Sequence, residues 1–168
     1  MTTHRLALAL LLAGAVSAHA QTAAPPAPAP VYAIDYGDPI TDAQAAKVME
    51  AATALARRNG WRVVITVLDP AGHAKVVQRL DQAQFGSLEV SAAKAYTVVA
   101  YKRSSRWYAQ QVAVGGMGYM RVPGALPLAG GVAIIVDNKI IGSIGVSGSS
   151  SDQDEQVALE GANALRAP

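Results

Sequence analysis

Four charged side chains, Asp69, Arg79, Asp81 and Lys94, interrupt an otherwise apolar stretch of this chain. Such a group either surrounds an anionic small molecule, an organic acid for example, or forms a structural ion-pair set that fixes a hairpin against a helix. Lys94 is the informative member: among small residues its ammonium must reach water along its own stem or be held by a carboxylate such as Asp81. A second group offers soft and aromatic ligands, His73, Met117, Tyr119 and Met120, with Met49 farther away. No pair among them has metal-ligand spacing. His73 has no nucleophile elbow in the sequence to complete a Ser-His-Asp arrangement. A third segment runs from Gly142 through Ser151 to Asp152, Asp154 and Glu155. Free amides at a helix start can hold an anion, but the acidic side chains already there oppose one, and Asp152 and Glu155 have capping-box spacing.

These groups need a frame, and the pattern supplies one. Thr41 caps a helix whose apolar residues, Ala45, Val48, Met49, Ala52, Leu55 and Ala56, recur at helical spacing up to Asn59-Gly60. Trp61 to Leu68 and Ala74 to Leu80 read as strands of a hairpin around Asp69-Pro70-Ala71-Gly72. Ser87 to Tyr101 predicts a helix with an alanine-rich face, and Ser105 to Val114 a shorter one. Gly115 to Met120 is a glycine-rich loop. Gly131 to Val136 and Ile140 to Val146 form a second hairpin, and Ser151 or Asp152 caps a last helix to Leu165. Hairpins separated by helices predict an α+β fold with a mainly antiparallel sheet. Both hairpins are apolar, so little of the sheet should face water.

Of the 168 residues 51% are hydrophobic, 15% charged and 5% aromatic. The scarcity of aromatics argues against a deep aromatic sandwich for a planar ligand. No cysteine is present, which excludes disulfides, thiolate metal sites and cysteine nucleophiles. A net charge of +2 gives no electrostatic case for nucleic acid.

Arg5 precedes an apolar run from Leu6 to Ala15, closed by Ala18-His19-Ala20; this order predicts a secretory signal peptide cleaved after Ala20. The product would be periplasmic or secreted, with His73 its sole histidine and no His-rich metal site within one subunit. Residues 21–35 begin with alternating Pro and Ala and are expected to form an extended tether, with the domain spanning 36–168.

Several of these segments resemble the GlcG/HbpS family of haem-binding proteins. The similar stretches are Val67-Leu68-Asp69-Pro70-Ala71-Gly72-His73, Arg79-Leu80-Asp81, Ser91-Ala92-Ala93-Lys94-Ala95-Tyr96-Thr97, Leu126 to Val132 and Ile141 to Gly148, followed by Asp154-Glu155. The resemblance implies a profilin-like fold, an antiparallel sheet of about five strands flanked by helices, and homo-oligomers up to octamers. It also implies haem as cofactor, a role in haem handling or redox sensing, and a membrane sensor or transporter as partner. In the family a threonine after the Lys-Ala-containing helix is implicated at the haem iron; the matching region here is Arg103-Ser104-Ser105, with Ser105 nearest. A Glu-x-x-Glu iron site of that branch is represented only by Glu50. A haem needs an apolar slot, an axial ligand and cations for its propionates. His73, Met117, Tyr119 or Met120 could ligate it, and Arg103, Arg106, Lys102 or Arg121 could pair the propionates. Cofactor-binding candidates are thus His73, Arg79, Lys94, Ser105, Met117, Tyr119 and Met120. The alternatives are an organic-acid binding protein or enzyme around Arg79, Asp81 and Lys94, and a non-catalytic oligomeric partner protein.

Overall fold

The computed structural model describes residues 31–166, so the signal-peptide reading and most of the tether lie outside the described residues. Helix α1 spans Asp42–Arg58 and opens with a reciprocal cap, in which the Thr41 hydroxyl accepts the Gln44 amide and the Gln44 side chain accepts the Thr41 amide. Strands β1 (Val64–Leu68) and β2 (Ala74–Arg79) pair antiparallel, followed by α2 (Ser87–Tyr101) and α3 (Ser105–Ala113). A 3₁₀ turn at Met117–Arg121 leads to β3 (Gly131–Val136), β4 (Lys139–Ser147) and α4 (Ser151–Asn163). The turn between β3 and β4 places Asp137 and Asn138 both at positive φ, 48° and 55°. That is the two-residue geometry that matches strand twist, and short polar side chains tolerate it best after glycine.

The sheet has four strands in the order β2-β1-β4-β3, every pair antiparallel. The expected α+β architecture is present, but with four strands rather than about five among the described residues. An isolated parallel bridge from Tyr36 to Ile140 adds one residue of pairing at the β3–β4 hairpin. Residues 31–35 also depart from the tether reading. Ile34 is buried, the Asp35 carbonyl accepts the Ile140 amide at 2.9 Å, and the Ile34 carbonyl accepts Lys102 Nζ at 2.8 Å. The ordered contacts therefore begin earlier than the proline pattern suggests, because Ile34 is buried and the Ile34 and Asp35 carbonyls are hydrogen-bonded to the domain.

Alternation along the strands gives the sheet two unlike faces. Ile65, Val67, Ile144 and Val146 join Val48, Ala52, Val157 and Ala158 of α1 and α4 in one apolar core. Each of the fully buried valine and isoleucine side chains contributes roughly 1.5–3 kcal/mol by leaving water. The opposite face is small and polar. Ser143 Oγ donates to the Ala95 carbonyl at 2.8 Å, Thr66 and Ser91 share a hydroxyl hydrogen bond at 2.8 Å, and Ser147 Oγ donates to Ser87 Oγ at 3.3 Å. Helix α2 lies directly on this face. A Cβ at Gly145 would collide with the Ser91 carbonyl and the Ala95 amide, so only glycine permits that approach.

Two expectations fail at the sheet edge and at the last helix. Strand β2 is largely exposed, although its apolar residues predicted burial, because it is an edge strand that α1 covers only in part. Helix α4 is capped by Ser150, reciprocally with Gln153, and not by Ser151 or Asp152 with Glu155. Asp152 and Glu155 instead turn to Arg106.

Candidate functional site

Lys94 does not meet Asp81. Its side chain is 2% exposed, and its ammonium lies 2.8 Å from Asp154 Oδ2 and donates to the Val146 carbonyl at 2.9 Å. Asp154 Oδ1 accepts the Ser149 amide at 3.0 Å. Burial pushes the Asp154 carboxyl above its ordinary range, and the Lys94 ammonium and the amides of Ser149 and Gly148 pull it partly back. The pair joins α2 to the start of α4 across the end of β4, which makes it an internal strut. The constellation of Arg79, Asp81 and Lys94 is therefore corrected: Arg79 and Asp81 line a cleft at the far end of β2, and Lys94 is not among its lining residues.

Ser105 is fully buried at the first position of α3, where its hydroxyl accepts the Gly131 amide at 2.8 Å. This hydrogen bond ties α3 to the beginning of β3, so the side chain serves the junction of two elements. His73 stands at the β1–β2 turn with its side chain 81% exposed and Nδ1 3.5 Å from Asp69 Oδ2. Asp69 organises that turn through hydrogen bonds from the amides of Ala71 and His73, both 2.9 Å. Burial raises its carboxyl, but those two amides and the His73 ring outweigh it and hold the group below its usual range.

Met117, Tyr119 and Met120 do come together, in the single 3₁₀ turn after α3. Both methionines are more than half exposed, at 60% and 56%, beside an open cavity of about 460 Å³ lined by Met117, Gly118, Met120 and Arg121. Behind them the Tyr119 ring stands edge-on to Trp107 at 5.2 Å and to Tyr108 at 5.9 Å. Tyr101 lies 5.8 Å from Tyr108, and its hydroxyl donates to the Pro123 carbonyl. Four of the nine aromatic residues, Tyr101, Trp107, Tyr108 and Tyr119, thus gather behind the methionines, which a composition percentage could not reveal. Burial also raises the Tyr108 phenol, with Tyr101 reinforcing it.

The four proposed propionate partners separate clearly. Arg106 is held by Asp152 and Glu155; the Asp152 hydrogen bond raises its pKa most, burial opposes, and Glu155 adds to the rise. Lys102 donates to the Ile34 carbonyl and sits over the Tyr36 ring. Arg103 stacks between Tyr32 and Trp107 at 4.2 and 4.4 Å. Arg121 lines the methionine cavity and forms no salt bridge among the described residues.

One neighbouring residue escaped the sequence reading. Tyr96 is 43% exposed, with one ring edge against Gly72 and the other against Gly124. Gly124 has φ +73° and no room for a Cβ beside that ring. The β1–β2 turn carrying His73 and the loop following the methionines therefore meet on opposite edges of one tyrosine. Two glycines with positive φ, far apart in sequence, were the only signal, and neither names its partner.

Fold and surface together define a small α+β protein with its soft-ligand surface on the α3 side of the sheet. Residues 40–163 match the family model described as haem-degrading protein HbpS-like, and the chain belongs to that family. It is 33% identical to protein GlcG of Escherichia coli K12 over 108 residues, 64% of this chain and 81% of GlcG. A crystal structure of HbpS superimposes with a TM-score of 0.71 at 32% identity, covering 80% of this chain and 96% of that one. A crystal structure of a PduOC:heme complex does so with a TM-score of 0.68 at 27% identity, covering 76% and 95%.

Proposed function

We propose that this chain is a haem-binding protein of the periplasm or the extracellular space, seating the tetrapyrrole on the Met117–Arg121 turn. The observation that carries the reading is the convergence there of two exposed thioethers on one turn, with the half-buried Tyr119 and its aromatic neighbours behind them and an arginine with no carboxylate partner among the described residues beside them. These residues fit the group. Thioether and phenolate are both known kinds of axial ligand to haem iron, and a guanidinium suits a propionate. A bound haem would supply redox and ligand-binding chemistry at its iron. Met117, Tyr119 or Met120 would be the residues to hold the iron, apolar atoms of the turn would lie against the macrocycle, and Arg121 would pair with a propionate. The cavity is open, so the seat is shallow, and a second subunit in a homo-oligomer would close it. Support for the ligand class comes from the PduOC:heme complex, which shares this fold. Haem handling or redox sensing beside a membrane sensor or transporter is the corresponding cellular role.

Titration of purified protein with haemin should produce a shifted Soret band saturating at one equivalent per subunit. Met117→Leu and Met120→Leu together, or Tyr119→Phe, should alter the band position and weaken binding about tenfold while leaving the fold unchanged. An unshifted spectrum at several-fold excess overturns the reading. Intact mass of the exported protein tests the location, with Gln21 expected as the first residue.

A further inference from the structure

At the opposite end of the molecule from the β1–β2 turn, a cleft of about 480 Å³ opens where the end of α1, the segment entering β1 and the end of β2 meet. Its lining includes Arg57, Arg62 and Arg79, with Trp61, Gln78 and Asp81. Arg62 and Arg79 are exposed, as is Arg57, and Trp61 is half-buried. Asp81 is the one carboxylate in this lining. Among the described residues five other cations pair with acidic side chains, Arg58 with Glu160, Lys75 with Asp42, Lys94 with Asp154, Arg106 with Asp152 and Glu155, and Lys139 with Asp35, while Lys47, Lys102, Arg103, Arg121 and Arg166 do not. Arg57, Arg62 and Arg79 form no salt bridge among the described residues.

Three guanidiniums without a salt-bridge partner among the described residues, set against the single carboxylate of Asp81, make this concavity net positive and favour an anion. One of them is also held in place: Arg79 donates from Nη1 to the Ala83 carbonyl at 3.1 Å, and its guanidinium lies 5.1 Å from the Phe85 ring centroid. Holding a guanidinium in this way removes part of the ordering cost of binding a ligand. The negative end of α1 opposes an anion here, but capping of three of its last carbonyls weakens it. Leu55 O accepts Asn59 Nδ2 at 2.9 Å, Arg57 O accepts the Gly60 amide at 3.1 Å, and Ala56 O accepts the Trp61 amide at 2.9 Å. Gln78 adds a neutral amide; the Asp81 carboxylate opposes the charge of an oxyanion but can accept hydrogen bonds from its hydroxyl groups, which suits a ligand carrying both.

We propose that this cleft is a binding site for a small, multiply charged oxyanion, a polycarboxylate or a phosphorylated compound, separate from the haem seat. The guanidiniums of Arg57, Arg62 and Arg79 take its charged oxygens in fork geometry, and Trp61 forms an apolar wall.

The test uses the full mature chain in a buffer free of both anions, titrated calorimetrically with citrate and, separately, with inorganic phosphate. One of the two should bind at one site per subunit with Kd below about 1 mM. The tighter of the two identifies carboxylate or phosphate chemistry. Binding should quench or shift Trp61 fluorescence, a signal that Trp61→Phe removes. Arg57→Gln and Arg62→Gln should each weaken Kd about tenfold, and the pair about a hundredfold, with an unchanged circular dichroism spectrum because both side chains are exposed. Failure of both anions to bind up to 10 times that concentration, or equal binding by the double variant, overturns the proposal. So does a double variant whose lost property is haemin binding alone, which would make the cleft a propionate seat. Normal haemin binding by a double variant that no longer takes citrate or phosphate supports two separate sites.

Discussion

The two faces of the sheet are held by different physics. Toward α1 and α4 the strands present Ile65, Val67, Ile144 and Val146, which interlock with valines and alanines. Toward α2 they present Thr66, Ser143, Gly145 and Ser147, which leave room for a helix backbone and bond to it through hydroxyls. The apolar face is non-directional and depends on volume. The polar face depends on each donor finding its acceptor, and it ends in the Lys94–Asp154 pair. The elements that carry the ligand residues, α3 and the turn after it, follow directly from the helix on that second face, so errors there should be felt at the ligand surface. Errors on the apolar face should cost stability alone.

Perturbing the strut gives the largest expected effect. Lys94→Met leaves the Asp154 carboxylate buried without its cation and should cost about 3–5 kcal/mol in urea denaturation. Adding Asp154→Leu should recover much of that loss, and a double variant no better than the single one would show that the pair does more than neutralise charge. On the other face, Ile144→Ala should cost about 2–5 kcal/mol, since its side chain is fully buried and packs against Gly161. The contrast is sharpened by haemin titration of both variants at matched fraction folded: Ile144→Ala should bind normally, and Lys94→Met more weakly.

A smaller effect is expected from Ser143→Ala, which removes one donor to the Ala95 carbonyl and should cost about 1 kcal/mol. Smaller still is the contribution of the β1–β2 turn, read through pH. Asp69 is held below its ordinary value of 3.8, so its stabilisation is present above that value and is lost as pH falls through the lower folded one. Asp154 has the opposite sign. Its carboxyl is raised, so the associated contribution is present below 3.8 and is lost as pH rises through the raised value. Urea midpoints across a pH series should therefore show Asp69→Asn flattening the profile below 3.8 and Asp154→Asn flattening it above 3.8. Identical profiles for the two variants would contradict this assignment.

How much was legible in the chain follows the range of each interaction. Helix α1 matches its reading from the Thr41 cap to Asn59, and α2 begins and ends at Ser87 and Tyr101, because periodicity, capping and stop signals act over a few residues. The α4 start slipped by a residue or two because three consecutive serines offer several caps. Glu155, the expected capping partner, has a stronger attraction to Arg106, 49 residues away in sequence. The exposure of β2 was not legible because burial of an edge strand depends on what lies beside it. The arginine cleft was seen in part, through Arg79 and Asp81, but was joined to the wrong cation.

By itself the sequence determined the α+β class, most element boundaries and the exclusion of cysteine chemistry, and it carried the family resemblance. All of these depend on residue type and short spacing. Tertiary structure alone decided that Lys94 belongs to Asp154 and that Arg57, Arg62 and Arg79 share a cleft. It also decided that Trp107, Tyr108 and Tyr119 stand behind two exposed methionines. The physical reason is that the strength of a charge pair or an aromatic contact is set by separation and burial, and chain folding can make those small for residues that are far apart in sequence.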